Sequence, residues 1–318
     1  MRVLITRQLP SAAAETLRRA GHDVLTLEDG EPAPRAEVLA RLPGCAGVIT
    51  LLSDRVDDEF LDAAGPGLLI VANFAVGFDN IDLEACRRRG VFASNTPDVL
   101  TNATADLAWA LILAAARRVV EGDRLVRSGA WRGWAPLQLL GLELCGATLG
   151  IVGAGRIGSA VARRAAGFEM RILYYDPRRN EALEQQTGAR PAELADLLRA
   201  SDVVTLHAPM CRENRHLIGE PQLAMMKPTA ILVNTARGPL VDEAALLTAL
   251  REGRIAAAGL DVYEFEPQVS AGLAEQENVV LLPHLGSATV AARERMAALA
   301  AENVVAALAG REPPNRVA

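Results

Sequence analysis

The hexapeptide Gly153-Ala154-Gly155-Arg156-Ile157-Gly158 constrains this chain more than any other stretch. It follows the apolar run Leu149–Val152 and leads into the helical stretch Ser159–Ala166; the next apolar run, Arg171–Tyr175, ends at Asp176. A GxGxxG between strand and helix, with an acid closing the following strand, assigns each residue a task. Gly153 permits the tight turn, Gly155 lets backbone approach a pyrophosphate, and Gly158 lets helix pack on strand. The helix N-terminus offers N–H groups and a positive dipole end to phosphate. The unit predicts a dinucleotide site and, by itself, names no reaction.

The rest of the chain repeats the same alternation. In the first hundred residues, Val3–Thr6, Val24–Leu27, Gly47–Thr50, Leu68–Asn73 and Val91–Ser94 read as strands, separated by amphipathic stretches Ala12–Ala20, Ala36–Leu42, Asp57–Ala64 and Asp82–Arg89. A second series runs through Leu149–Val152, Arg171–Tyr175, Val203–Leu206, Ala230–Asn234, Ala256–Asp261 and Val279–Leu282. Strand–helix alternation of this kind predicts parallel sheets with helices on both faces, and 318 residues suffice for two such domains. Thr101 and Asn102 are N-cap residues for a long Ala/Leu helix expected to reach about Val126 and to be buried between domains. A final helix, Thr289–Ala309, is expected to return to the first domain.

Composition narrows the function. Net charge is −6 and the arginines are scattered, so a nucleic-acid partner is not expected. No apolar run approaches the roughly 18 residues of a membrane span, and the N-terminus lacks a signal-like apolar segment, which predicts a cytoplasmic protein. Cys45, Cys86, Cys145 and Cys211 are far apart, without zinc-type spacing; they read as buried, inert thiols, and no metal is expected.

Ligands of open α/β sheets lie beyond the carboxyl ends of the strands. There the sequence delivers His207-Ala208-Pro209, then Thr235-Ala236-Arg237-Gly238, then Glu266-Pro267 after the strand ending at Asp261, then Pro283-His284. Singly, Arg237 could pair with Asp242, Glu266 could be a surface acid, and His284 a satisfied core histidine. Together at neighbouring strand ends they suit one reaction. An arginine forks onto a carboxylate, and a histidine oriented by a glutamate exchanges a proton near neutral pH. The implied substrate carries a carboxylate beside a carbonyl: a 2-oxo acid.

These motifs, with Asn234-Thr235-Ala236-Arg237-Gly238, Gly259-Leu260-Asp261-Val262 and Pro283-His284-Leu285-Gly286-Ser287-Ala288, resemble the D-isomer-specific 2-hydroxyacid dehydrogenases over essentially the whole chain. Leu51-Leu52-Ser53-Asp54, Val76-Gly77-Phe78-Asp79-Asn80-Ile81-Asp82 and Trp131-Arg132-Gly133-Trp134-Ala135-Pro136 are similar to glyoxylate/hydroxypyruvate reductases within that family. The resemblance implies a Rossmann cofactor domain (residues 100–286) inserted into a flavodoxin-like substrate domain (residues 1–99 and 287–318), with a cleft that closes on substrate. It implies Arg237 as the carboxylate and carbonyl clamp, His284 as acid/base and Glu266 as its orienting partner. Substrate contacts are implied at Leu52, Ser53, Val76 and Gly77 besides Arg237 and His284. Cofactor contacts are implied at Thr104, Ala154, Gly155, Arg156, Ile157, Gly158, Asp176, Pro177, Arg178, His207, Ala208, Pro209, Thr235, Ala236, Asp261 and Gly286.

Other readings stay open: a dehydrogenase of D-lactate or 3-phosphoglycerate, or a dinucleotide-sensing protein like the family's co-repressors. The absence of a regulatory domain after Ala318 weighs against a phosphoglycerate dehydrogenase of the long kind, and the absence of a basic cluster around Arg55 against a phosphorylated substrate. Asp176 would accept both ribose hydroxyls of NAD and repel a 2′-phosphate, so NAD(H) is expected over NADP(H), with Arg178 and Arg179 as the rival influence. The apolar helix from Thr101 and the Trp131–Trp134 segment expose more surface than one subunit covers, and the resemblance implies a homodimer built there.

Overall fold

The computed structural model describes residues 1–27 and 33–318. The chain forms two compact units, Met1–Leu100 with Ser287–Ala318, and Thr101–Gly286.

In the first unit, strands β1 (Arg2–Ile5), β2 (Asp23–Thr26), β3 (Cys45–Thr50), β4 (Ile70–Asn73) and β5 (Phe92–Ser94) form an all-parallel sheet in the order β2-β1-β3-β4-β5. Alternate residues supply two cores. Leu4, Val48 and Val71 lie in one, with helices α2 (Arg35–Arg41), α3 (Asp58–Ala64) and α4 (Leu83–Arg88). Val3, Ile5, Ile49, Ile70 and Ala72 lie in the other, with α1 (Ala12–Arg19) and the C-terminal helix Val290–Leu308. Strands buried on both faces explain the near-continuous apolar runs in the sequence. Asp57 and Asp82 start α3 and α4 by accepting the Phe60 and Ala85 N–H groups.

The second unit opens with α5 (Thr101–Ala116) and α6 (Val119–Arg127). Its strands are β6 (Thr148–Val152), β7 (Arg171–Tyr175), β8 (Arg190–Pro191), β9 (Val203–Leu206), β10 (Ile231–Asn234), β11 (Ala257–Leu260) and β12 (Val279–Leu281). Between them run α7 (Arg156–Ala165), α8 (Glu181–Thr187), α9 (Leu194–Ala200), α10 (Glu220–Leu223) and α11 (Glu243–Arg251). The strands are parallel in the order β12-β11-β10-β9-β6-β7-β8, so strand order reverses between β6 and β9. Ile151, Val203, Ile231 and Val233 pack with α5 and α7; Val204, Leu206, Leu232 and Leu260 pack with α9 and α11. Trp109 ties α5 to α7, donating its Nε1 hydrogen to the Val161 carbonyl at 3.0 Å and stacking on Phe168 at 4.6 Å. Both sheets are thus doubly wound, as the strand–helix alternation predicts.

Three sequence expectations need correction. The helix from Thr101 does not run to Val126: it stops at Ala116, and Arg118 takes left-handed backbone (φ 52°) before α6 begins. The Leu142 N–H takes the Ala116 carbonyl at 2.8 Å, and Arg118 forks onto Glu121 at 2.6 and 2.9 Å, so incoming backbone and a local ion pair replace the next helical turn. The burial of α5 is supplied within its own unit, by β10, β11 and α7. Cys45 and Cys86 are buried but Cys145 and Cys211 are exposed, because both stand in connections at the sheet's rim. Among the described residues, no helix is long and apolar enough to cross a membrane.

Candidate active site

The turn after β6 divides the work of its glycines by geometry. Gly153 has φ 95°, and a Cβ there would meet the Ala208 nitrogen at 2.5 Å; a Cβ on Gly158 would meet the Gly153 carbonyl at 2.1 Å. Both are fixed by close packing within the protein. Gly155 differs, since a Cβ there would meet nothing within 4 Å. It is a cradle open for a ligand, and the N–H groups of Gly155 and Ile157 have no acceptor among the described residues. Across the β6/β9 crossing, His207 Nδ1 and Thr235 Oγ1 are buried without a hydrogen-bond partner. Buried orphans of this kind mark a position where a polar ligand completes the protein. Burial brings the His207 pKa down to about 3, so the ring is neutral at any working pH. These features fit a dinucleotide: phosphates on the α7 N-terminus, and polar ligand groups toward Thr235 and His207.

Asp176 stands at the end of β7, where its two oxygens accept the Ala154 and Arg178 N–H groups, each at 2.9 Å. Arg179 is turned away, forked onto Glu184 at 2.9 and 2.8 Å. Its guanidinium, with the Tyr174 hydroxyl, brings the Glu184 pKa down to about 2. The Arg178 side chain is exposed and has no partner among the described residues.

Beyond β10, β11 and β12, the second unit assembles a cluster of charged side chains. Asn234, nearly fully buried, shapes the turn that carries Arg237: its Oδ1 accepts the Ala236 N–H at 3.0 Å and its Nδ2 donates to the Arg237 carbonyl at 2.8 Å. Gly238 must lack a side chain, because a Cβ there would meet the Tyr263 carbonyl oxygen at 1.8 Å. The Arg237 turn and the β11 turn therefore lie directly against each other. Asp242, the alternative partner for Arg237, is used instead to cap α11 through the Ala244 and Ala245 N–H groups.

Glu266 accepts the Tyr263 N–H through Oε1 at 3.0 Å and meets His284 Nδ1 through Oε2 at 2.9 Å. This contact assigns the hydrogen to Nδ1 and leaves Nε2 as the ring's acceptor nitrogen. Burial pushes the Glu266 carboxyl upward, but His284, then the Tyr263 N–H and Arg237, outweigh it and hold the pKa below the usual value. His284 itself has left-handed backbone, φ 55°, a conformation that costs a non-glycine residue roughly 1–2 kcal/mol. Asp261 supports it: its carbonyl accepts the His284 N–H at 2.9 Å, and its carboxylate accepts those of Leu285 and Gly286 at 2.6 and 2.8 Å. Thr104 completes the turn by donating to the Gly286 carbonyl at 3.0 Å.

The first unit has its own polar edge at the ends of β1, β3 and β4. Asp54 accepts the Leu51 N–H and the Thr6 hydroxyl at 2.8 and 2.5 Å. Asn80 Nδ2 donates to the carbonyls of Leu51 and Asp54 at 3.0 and 2.9 Å, while Asn73 Nδ2 donates to Gly77 and Asn80 at 2.8 and 3.0 Å. Asn95 takes the Val76 carbonyl at 2.8 Å. The 51–54 and 76–80 loops are thus fastened together by their carbonyls. The N–H groups of Val76 and Gly77 have no acceptor among the described residues, which is the arrangement an anion requires.

Comparison with known proteins agrees with this architecture. The profile of the NAD-binding domain of the D-isomer specific 2-hydroxyacid dehydrogenases matches residues 109–286. A glyoxylate reductase of Thermococcus onnurineus is 51% identical over 99% of this chain and 95% of its own. The chain belongs to the D-isomer specific 2-hydroxyacid dehydrogenases. A crystal structure from Thermus thermophilus superposes with TM-score 0.94 at 48% identity, covering 100% of both chains. An NADPH-dependent glyoxylate/hydroxypyruvate reductase of Sinorhizobium meliloti gives 0.87 at 35% identity, covering 100% of this chain and 97% of that one. The second unit is the NAD-binding Rossmann domain of the family and the first its substrate domain.

Set against the sequence reading, the structure brings Arg237, Glu266 and His284 to one sheet edge, with Thr235 in the same turn as Arg237 and His207 at the end of the adjoining β9. It uses Asp261, Thr104 and Gly286 chiefly to hold the His284 turn. Sequence reasoning overlooked Glu243 and Asn80, each of which organises a loop that carries candidate residues of this dehydrogenase. Asn80 stands beside the polar Asp79 and Asp82 in its turn, so residue type does not single it out; Glu243 looks like an ordinary acid in a helix's first turn.

Proposed function

We propose that this dehydrogenase reduces glyoxylate and hydroxypyruvate to the corresponding 2-hydroxy acids, with the D configuration where a stereocentre forms. The observation carrying this reading is the Glu266–His284 contact at 2.9 Å on the same sheet edge as Arg237. A nicotinamide held by the Gly155 cradle, Thr235 and His207 supplies the hydride when bound. Arg237 forks onto the substrate carboxylate and stabilises the negative charge that develops on the carbonyl oxygen. His284 Nε2 gives that oxygen its proton, while Glu266 fixes the ring and stabilises the imidazolium beforehand. The unengaged N–H groups of Val76 and Gly77 support these loops as a carboxylate seat. A phosphorylated substrate is disfavoured because Arg55 is engaged with Asp57 at 3.2 Å. High identity to glyoxylate reductases favours the small substrates, and a complete Arg237/Glu266/His284 set favours an enzyme over a dinucleotide sensor.

Replacing His284 with alanine is expected to lower kcat by about 10²–10⁴-fold while NADH still binds. Arg237→Ala is expected to raise KM for the oxo acid and slow the chemistry, and Arg237→Lys to restore little, because a point charge cannot reproduce the fork. Steady-state kinetics of NADH oxidation with a panel of 2-oxo acids make the check. Near-normal kcat in His284→Ala contradicts the proton assignment, and turnover of none of the acids by wild type favours the sensor.

The same reading includes NADH as the preferred reductant. Asp176 is oriented by two backbone N–H groups, and one of the two arginines that could relieve a 2′-phosphate is committed to Glu184. NADH is expected to exceed NADPH in kcat/KM by at least about tenfold, or ~1.4 kcal/mol. Asp176→Ser should narrow or invert that ratio. A wild-type preference for NADPH, like that of the Sinorhizobium meliloti relative, would mean that Arg178 prevails.

A homodimer belongs to this reading as well. Among the described residues, seven of the twelve exposed large apolar side chains lie between residues 113 and 140, including Trp131 and Trp134, and α6 buries no residue. That concentration on one segment supports a self-complementary interface. Light scattering at micromolar protein is expected to return twice the chain mass; a monomer would contradict it. The four free thiols support a reducing, cytoplasmic compartment.

A further inference from the structure

Glu243 opens helix α11, is 2% exposed, and has no cationic partner among the described residues. Its carboxylate is stabilised by hydrogen bonds alone. Oε1 accepts the Glu264 N–H at 2.7 Å, and Oε2 accepts the Ser270 N–H at 3.3 Å and the Ser270 hydroxyl. Those donors are the two ends of a loop, and Glu266 lies inside it. Residues Phe265 to Gln268 are all exposed; within the loop Glu266 accepts the Tyr263 N–H, the Gln268 N–H takes the Phe265 carbonyl, and Val269 packs on the core. A further polar fastening is the Glu264 side chain, which is 6% exposed and meets Arg215 and His216, the latter at 2.7 Å.

We propose that Glu243 is a positioning residue for the proton-transfer pair, fastening both ends of loop 264–270 and so fixing the direction from which Glu266 reaches His284. The inference rests on the assignment of Glu266 and His284 to proton transfer. Only a carboxylate suits this position. Three donors converge on two acceptor oxygens, whereas a glutamine would present one oxygen and an NH₂ group that confronts an N–H. A buried charge without a cation is costly to the fold, so a role confined to stability could be filled more simply by an apolar residue.

The charged and titratable groups around the pair are Arg237 from the β10 turn, Asp261 and Tyr263 from the β11 turn, and Glu266 and His284 themselves. Behind them stand Glu264, Arg215, His216 and Asp242, the last 3.8 Å from His216 Nδ1. Glu243→Gln leaves all of these in the chain; it loosens the hold on Glu266 and also removes a buried negative charge that acts on Tyr263, whereas Ser270→Ala loosens the hold with every charge in place. A looser Glu266 stabilises the imidazolium less, so the proton donor is lost at lower pH.

The test is the pH profile of kcat for glyoxylate reduction in wild type, Glu243→Gln, Ser270→Ala and Glu266→Gln, with NADH affinity measured by fluorescence. Glu243→Gln is expected to lose on the order of 10- to 100-fold in kcat, the effect of a small misplacement of catalytic groups. Its basic limb should move to lower pH, in the direction set by Glu266→Gln, with NADH affinity unchanged. Ser270→Ala should move the limb the same way by less. A folded Glu243→Gln whose limb stays at the wild-type pH, while that of Glu266→Gln moves, overturns the positioning role and leaves the proton-transfer reading standing. If Glu266→Gln leaves the limb in place, both readings fall. Should Glu243→Gln not fold, an unmoved limb in Ser270→Ala overturns the proposal.

Discussion

The carboxylate of Asp261 accepts the N–H groups of Leu285 and Gly286, and its backbone carbonyl accepts that of His284. The residue is fully buried, where an ionised acid is stable only if its oxygens are satisfied. Burial raises its pKa; the Leu285 N–H and the nearby His284 work against that rise. The pairing is available because β11 and β12 are neighbours in register, Leu260 opposite Leu281, so the turn beyond β12 falls beside the residue beyond β11. The left-handed backbone of His284 follows from this contact. The Thr104 hydroxyl on the Gly286 carbonyl and the Glu266 contact to the ring add to this clasp.

One principle recurs on both sheets: buried and half-buried polar side chains fasten the loops that carry candidate substrate-facing residues. On the first unit, Asn73, Asn80 and Asp54 take up the carbonyls and N–H groups of two neighbouring turns and leave the Val76 and Gly77 N–H groups unengaged. On the second, Asp261 and Glu243 do the same for the turns carrying His284 and Glu266. Apolar contacts are tolerant of small shifts, whereas hydrogen bonds are directional. Directional fastening suits the proposed function, in which an imidazole is presented to a small carbonyl.

The alternation of apolar runs was enough to read two doubly wound sheets, because strands covered on both faces leave a continuous apolar signature. Glycine spacing with Asp176 gave the dinucleotide turn for a comparable reason, since each glycine answers a local steric demand. Arg237, Glu266 and His284 could be found because strand ends converge in this topology. What escaped the sequence depends on contacts between distant segments. The end of α5 is decided by Leu142 arriving from twenty-six residues away to take the Ala116 carbonyl, which no helical periodicity encodes. Glu243 matches the usual acidic first turn, so its real partners, Glu264 and Ser270, are invisible until the chain folds. Asp261, legible by resemblance as a cofactor contact, has both carboxylate oxygens engaged by the turn it anchors.

That the site's geometry rests on the Asp261 clasp can be tested directly by native-state hydrogen exchange at Leu285 and Gly286. Both lie outside any strand or helix and would exchange at loop rates if unsupported. Held by a buried carboxylate, they should instead be protected to the level of the β11 amides. Protection of that order is the expected result; exchange as fast as in the exposed Phe265–Gln268 turn would contradict it and leave the orientation of His284 without a cause.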